Sequence, residues 1–131
     1  MLTNENCASV LVVSITPRNV DGSVDLEGAR SNVRFLGEQG VDIVMPMCGT
    51  GLVYDATLEE FEAVTGAFMD AAAGSDMQVV PGIGPGYGRS LEMGHIARSL
   101  NVDGVMIMPI VGPASARGVR QGLQSIAEKV G

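Results

Sequence analysis

The stretch best equipped for chemistry is Cys48-Gly49-Thr50-Gly51, four small residues that close an apolar run. Its glycines let a ligand approach the backbone and leave peptide N–H groups free for a carboxylate, while the Thr50 hydroxyl adds a donor. Spacing leaves two readings open: an anion pocket made by Gly49, Thr50 and Gly51, or an ordinary turn between a strand and a helix. A second glycine-rich stretch, residues 82–88, stands where dinucleotide folds carry G-x-G-x-x-G. Its spacing fails, because after Gly84 and Gly86 the third glycine position is Arg89. No acidic residue closes the following strand to take a ribose. This loop is therefore read as a tight turn beside a ligand mouth, and neither a cofactor nor a metal is expected.

Other reactive side chains are few. Lys129 is the sole lysine. It stands near the end of the last helical segment, which runs antiparallel to the strands over roughly 22 Å. That end falls opposite the strand C-termini, where barrel chemistry is done, so Lys129 is read as a solvated cation favoured by the helix dipole. No catalytic residue is assigned: His95 lies within a helical segment with no partner in sequence. Cys48 has no His or Lys neighbour and reads as a small buried residue. Met45 with Met47, and Met106 with Met108, alternate along their strands, which places each pair on one face as core filling. Tyr54 and Tyr87 are expected in loops at the ligand face.

The elements that must position these residues follow from periodicity. Residues 10–15 form a first strand, closed by Thr16, Pro17 and a polar turn at 19–22. Asp25 caps a helix carrying Leu26, Ala29, Val33 and Leu36, which Gly40 stops. Residues 41–47 form a second strand. Thr57 and Glu60 have capping-box spacing ahead of Leu58, Phe61, Val64 and Phe68, and that helix runs out near Gly74. Residues 77–83 give a third strand, and Ser90 caps a helix with Met93, Ile96, Ala97 and Leu100. Residues 102–108 give a fourth. Ser115 begins the last helix, with Val119, Leu123, Ile126 and Val130 on one face. Strands recurring at roughly 30-residue intervals with helices between them imply an α/β fold with a parallel sheet. A flavodoxin-like open sheet and a (βα)8 barrel would both give this pattern.

Length and charge bound the function. The 131 residues are expected to form a single domain. With no Trp, two Tyr and three Phe, the core must come from aliphatic residues and Met, as buried parallel strands require. A net charge of −7 with no clustered arginines argues against nucleic acid. The first residues carry Glu5 where a secretory signal would be basic, and no apolar run reaches bilayer length. Two cysteines, Cys7 and Cys48, with neither metal-type nor disulfide spacing fit a reducing compartment. A soluble, cytoplasmic protein is the expectation.

Taken together, the blocks Ile15-Thr16-Pro17 with Asp21-Gly22-Ser23-Val24-Asp25, Gly49-Thr50-Gly51 with Thr57-Leu58-Glu59-Glu60, Val80-Pro81-Gly82-Ile83-Gly84, and residues 97–109 resemble the dihydrodipicolinate synthase and N-acetylneuraminate lyase family. The blocks occur in the family's order. The nearest flavour is the keto-deoxy-sugar-acid dehydratases and aldolases, whose second-strand turn reads G-G-T-G-E. The likeness spans nearly the whole chain and the first half of the family's domain. It implies four βα units, the N-terminal half of a (βα)8 barrel. It also implies a lysine on the sixth strand that forms a Schiff base with pyruvate or another 2-keto acid. Gly49, Thr50 and Gly51 would then bind the keto acid's carboxylate.

Three departures accompany the resemblance. Leu52 replaces the family's glutamate, and Gly49 stands where a threonine is frequent. Ile110 and Val111 take the place of tyrosines that follow the fourth strand. Residue 131 falls where a fifth strand would begin, so the fifth-strand tyrosine and sixth-strand lysine are not among these residues. The expected function is thus a half-barrel member of a 2-keto-acid lyase family, inactive alone. Alternatives are a binding or assembly module that pairs with a second copy or a partner half-barrel, and a silent truncated product.

Overall fold

The computed structural model describes residues 2–110 and 112–131. After a 3-10 turn at Asn6–Ala8, β1 (Leu11–Val13), β2 (Ile43–Met45) and β3 (Gln78–Val79) form a parallel sheet in that order. Strand β4 (Gly82–Ile83) pairs in parallel with β5 (Met106–Ile107). Helices α1 (Leu26–Glu38), α2 (Leu58–Ala72), α3 (Tyr87–Ser99) and α4 (Ala116–Val130) follow β1, β2, β4 and β5.

The third strand expected over 77–83 is divided into β3 and β4. Pro81 stands between them with no N–H to give, so the ladder toward β5 breaks there. The chain nevertheless stays in line. Val80 and Gly82 donate to Val44 O and Pro46 O at 3.0 and 2.9 Å, while Pro81 O and Ile83 O each accept at 2.9 Å from Met106 and Met108. Four parallel strands result, each shorter than the apolar runs suggest.

Three of four predicted helix starts are as expected. Asp25 accepts from Gly28 N at 2.9 Å, Thr57 and Glu60 form the reciprocal capping box, and Ser115 accepts from Gly118 N at 3.1 Å. The third start is a correction. Helix α3 begins at Tyr87 after Gly86, whose φ of 89° suits a residue without Cβ, and it has no side-chain cap. Ser90 is buried one turn inside, its hydroxyl donating to Gly86 O at 2.7 Å.

Register sorts the strand residues into two faces. Val12, Val44 and Val79 are paired in line, as are Leu11, Ile43 and Gln78. Val44 and Val79 belong to one cluster with Ala29 and Val33 of α1, Phe61 and Phe68 of α2, Met93 of α3 and Ile126 of α4. All four helices therefore pack on one side of the sheet. A doubly wound sheet would divide them between its faces, so this is the arc of a barrel. The other face carries Ile43, Met45, Cys48 and Val80, covered by Leu2 and Met108. At its edges Leu11, Val13 and Met106 are about 40% exposed. A groove of about 630 Å³ runs beside β5, bordered by Val102, Val105, Ile107, Ile126 and Val130.

The methionine pairing also needs correcting. Met45 lies on the inner face, but Met47 lies in the helix-side cluster, because its φ of 55° turns the backbone and ends the alternation. Met106 is too exposed to be core filling. On α4 Ile126 and Val130 are buried, whereas Leu123 is 37% exposed.

Two contacts hold the helices in place. Gly94 lets α3 approach α4, since a Cβ there would run into both γ-methyls of Val130, 2.7 Å from Cγ1. The guanidinium of Arg18, in the loop after β1, donates to Glu60 Oε1 at 2.6 Å and Oε2 at 3.3 Å, and to Gly22 O at 2.7 Å. Glu60 is thereby held below the usual carboxylate range, chiefly by the Arg18 hydrogen bond and further by the Thr57 N–H, against a smaller opposing effect of burial.

Gly94→Ala should lower stability by about 1 kcal/mol, because the clash outweighs the helix-propensity gain. In a Val130→Ala background the same change should cost less, because only the Val130 β-carbon at 3.2 Å remains in the way, a coupling that urea unfolding of the double-mutant cycle would detect. Glu60 titrates lower in the folded than in the unfolded chain, so its contribution is present above pH 4.5 and is lost as pH falls through the folded value. The urea midpoints of the wild type and Arg18→Met should differ at pH 6, and the gap should narrow as pH falls below 4.5, leaving the pH-independent part due to Gly22 O.

Candidate functional site

The C-terminal ends of the strands bring residues 14–17, 46–51, 82–86 and 108–110 together. Beyond β2 the chain turns sharply through residues 47–52. Met47 and Leu52, at φ 55° and 59°, bracket this turn in the left-handed region, at a cost of roughly 1–2 kcal/mol each. Backbone crowding makes the bend possible only beside glycines. A Cβ at Gly82 would sit 2.5 Å from Met47 O and 2.9 Å from Cys48 Cα and Sγ. One at Gly51 would sit 2.9 Å from Met47 N and 3.1 Å from Ser14 O.

Hydrogen bonding in the turn is one-sided. Cys48 O accepts from Val53 N at 3.3 Å, Gly49 O from Leu52 N at 3.1 Å, and Gly51 O from Thr16 Oγ1 at 2.6 Å. Among the described residues, the N–H groups of Gly49, Thr50 and Gly51 and the Thr50 hydroxyl have no acceptor. Gly49 and Thr50 are exposed and Gly51 is buried. Three carbonyls of the segment are thus engaged while three successive N–H groups are not, a backbone arrangement that could receive an anion. Further along the same connection, Arg89 in the first turn of α3 donates to Ala56 O, just before the Thr57 cap.

The remaining candidates are spread apart. Cys48 is buried beneath the turn, and burial pushes its thiol up to about 11 against a smaller opposing effect of the Gly82 N–H, so it is no nucleophile near neutrality. Tyr54 is exposed in the loop ahead of α2. Tyr87 is the first residue of α3 and not a loop residue. Its hydroxyl meets Ser125 Oγ at 2.9 Å and accepts from Lys129 Nζ at 2.8 Å, and the ammonium lies 5.4 Å from the ring centroid. Lys129 is exposed in the last turn of α4, as expected, and its ammonium additionally bridges to α3. Its hydrogen bond is the main cause that lowers the Tyr87 phenol below its ordinary value, with Ser125 adding to it. His95 is exposed on α3. Ile110 faces α4, where a Cβ on Gly122 would meet its Cδ1 at 3.6 Å, and Val111 lies outside the described residues. Among the described residues no group of three His, Cys, Asp or Glu is placed to hold a metal, and no helix is long and apolar enough to cross a membrane.

Sequence reasoning missed Thr16, which holds this turn, and Arg89, which holds the connection between the turn and α2. Thr16 stands in the Ile15-Thr16-Pro17 block as a strand stop, and Arg89 only as a failed glycine position. The partner of each is a backbone carbonyl 33 or more residues away, which no spacing rule connects.

Comparison with known proteins agrees with this arrangement. The chain is 31% identical over 131 residues to the 4-hydroxy-tetrahydrodipicolinate synthase of Chlorobaculum parvum, a match covering 98% of this chain and 44% of that protein. It is 32% identical over 102 residues to the "Probable 5-dehydro-4-deoxyglucarate dehydratase 2" of Streptomyces coelicolor, covering 78% of this chain and 31% of that one. The crystal structure of dihydrodipicolinate synthase from Bacillus clausii superimposes with a TM-score of 0.88 and 30% identity, over 96% of this chain and 43% of its own. The N-acetylneuraminate lyase of Mycoplasma synoviae shares the fold, at a TM-score of 0.80 and 23% identity. The chain spans between 31% and 44% of the length of the curated relatives it matches. Its four strands and four helices correspond to the N-terminal half of their barrel. Residues 6–131 match the Dihydrodipicolinate synthetase family, and with the one-sided helix layer and the glycine-bound strand mouth already described, the chain belongs to that family of lyases.

Proposed function

We propose that residues 1–131 form one partial-barrel domain that supplies the carboxylate-binding part of a lyase site for pyruvate or a related 2-keto acid. The amine comes from outside these residues. The observation that carries the reading is the run of three unengaged N–H groups at Gly49, Thr50 and Gly51, set at the strand ends where barrel enzymes work. A lysine attacking the keto carbon would expel water and give an iminium, which takes up the electron pair released in aldol cleavage, condensation or dehydration. The chain's own lysine is unsuited to this, since Lys129 sits in the last turn of α4 with its ammonium on the Tyr87 hydroxyl. Alone, the chain binds a keto acid without turning it over. Cys7 and Cys48, both free, agree with a reducing, cytoplasmic setting.

A second reading is favoured by the inner face. Leu11, Val13 and Met106 expose apolar surface at both ends of the strand row, and Ile15 is 57% exposed beyond β1. Closing this face on a second copy would make the chain a self-associating module.

Treatment with pyruvate and sodium borohydride, followed by peptide mass spectrometry, should leave Lys129 unmodified. It should place one reduced adduct on a lysine outside residues 1–131 when the complementary strands are present. An adduct on Lys129, or none on the complete assembly, ends the first reading. Sedimentation of the purified chain should give a dimer under the second reading, and a well-folded monomer contradicts it.

A further inference from the structure

We infer that Thr16 is a positioning residue for the carboxylate-binding turn, acting through the Gly51 carbonyl; the inference rests on the reading of Gly49, Thr50 and Gly51 given above. Its side chain comes from the exit of β1, and Pro17 behind it keeps its backbone out of the helical region. The hydroxyl donates to Gly51 O at 2.6 Å and lies 3.5 Å from Met47 Sδ. One side chain thus touches the turn near both of its left-handed residues, Met47 directly and Leu52 through the peptide that precedes it.

That peptide is held at both ends. Thr16 takes its oxygen, and its N–H, from Leu52, donates to Gly49 O at 3.1 Å. Rotating it would let Leu52 relax to negative φ, so the left-handed geometry needs a restraint. Rotation would also swing the Gly51 oxygen away from Thr16 and into the turn, setting the negative end of a dipole beside the donors at residues 49–51. A carboxylate would meet repulsion where it now meets N–H groups. The residue acts at one remove, since its only hydroxyl proton is committed to Gly51.

The test uses labelled wild-type protein with Thr16→Val, which keeps the shape, and Thr16→Ser, which keeps the hydroxyl. Without ligand, Thr16→Val should shift the Gly51 carbonyl ¹³C resonance and raise the mobility of amides 49–51, and Thr16→Ser should restore both. In a pyruvate titration the wild-type amides of Gly49, Thr50 and Gly51 should move. Thr16→Val should weaken binding roughly threefold to tenfold, as expected for one lost hydrogen bond, with rescue by serine. An unchanged titration in Thr16→Val overturns the positioning role while leaving the carboxylate reading intact. If the wild-type amides do not respond to pyruvate, the carboxylate reading fails and this inference with it. A Gly51 carbonyl shift in that case marks the clamp as structural only. Should Thr16→Val not fold, the wild type decides: a slowly exchanging Thr16 hydroxyl proton is expected, and its absence overturns the inference.

Discussion

Backbone meets backbone at the mouth of the strands, and most of the site depends on that contact. The carbonyl of Met47 presses on Gly82 and its N–H side on Gly51, with no room for a Cβ at either place. Parallel strands that curve toward one another crowd their exits, and glycine is the only residue that tolerates such an approach. With both positions open, the chain after β2 can bend through left-handed Met47 and Leu52 and hold its carbonyls inward. The donors at residues 49–51 are left over from that bend. The proposed anion site therefore rests on backbone geometry and not on side-chain charge, in a chain of net charge −7.

The same curvature organises the layers. Helices α1 to α4 share one cluster on the Val44 side, anchored by fully buried Phe61 and Phe68, and Gly94 allows α3 and α4 to touch. Inner-face residues are buried in the middle of the row, at Ile43 and Met45, and exposed at its ends, at Leu11, Val13 and Met106. An arc rather than a closed ring has this distribution, because the central strands have neighbours on both sides and the edge strands on one. The proposed function follows the same line: an arc has strand ends on one side only, so under that proposal the carboxylate cradle comes from this chain and the amine from elsewhere.

Local signals were legible wherever the chain satisfies its own groups within a few residues. Asp25, Thr57 with Glu60, and Ser115 each cap a helix through a partner three residues on. Ser90 has the same residue type and fails as a cap, because the turn is already made by Gly86 and the hydroxyl is used inside the helix. Alternation predicted one face for Met45 and Met47, and a single left-handed residue undid it. Helix direction placed Lys129 at the end of α4, where it lies, but its bond to Tyr87 bridges two helices and has no signature in either.

Residue order by itself determined the βα alternation, the helix caps, the glycine-rich turns and the family resemblance, since each rests on contacts within one element or on ordered short motifs. It left the barrel arc and the doubly wound sheet equally possible, and it left Gly49, Thr50 and Gly51 as either a pocket or a plain turn. Only the tertiary structure placed all four helices on one face and brought Thr16 and Arg89 to carbonyls far away in the chain. The reason is physical: periodicity reports which side of an element is apolar, but not which side of the sheet each helix crosses. Nor does it report which distant carbonyl a lone hydroxyl or guanidinium will find.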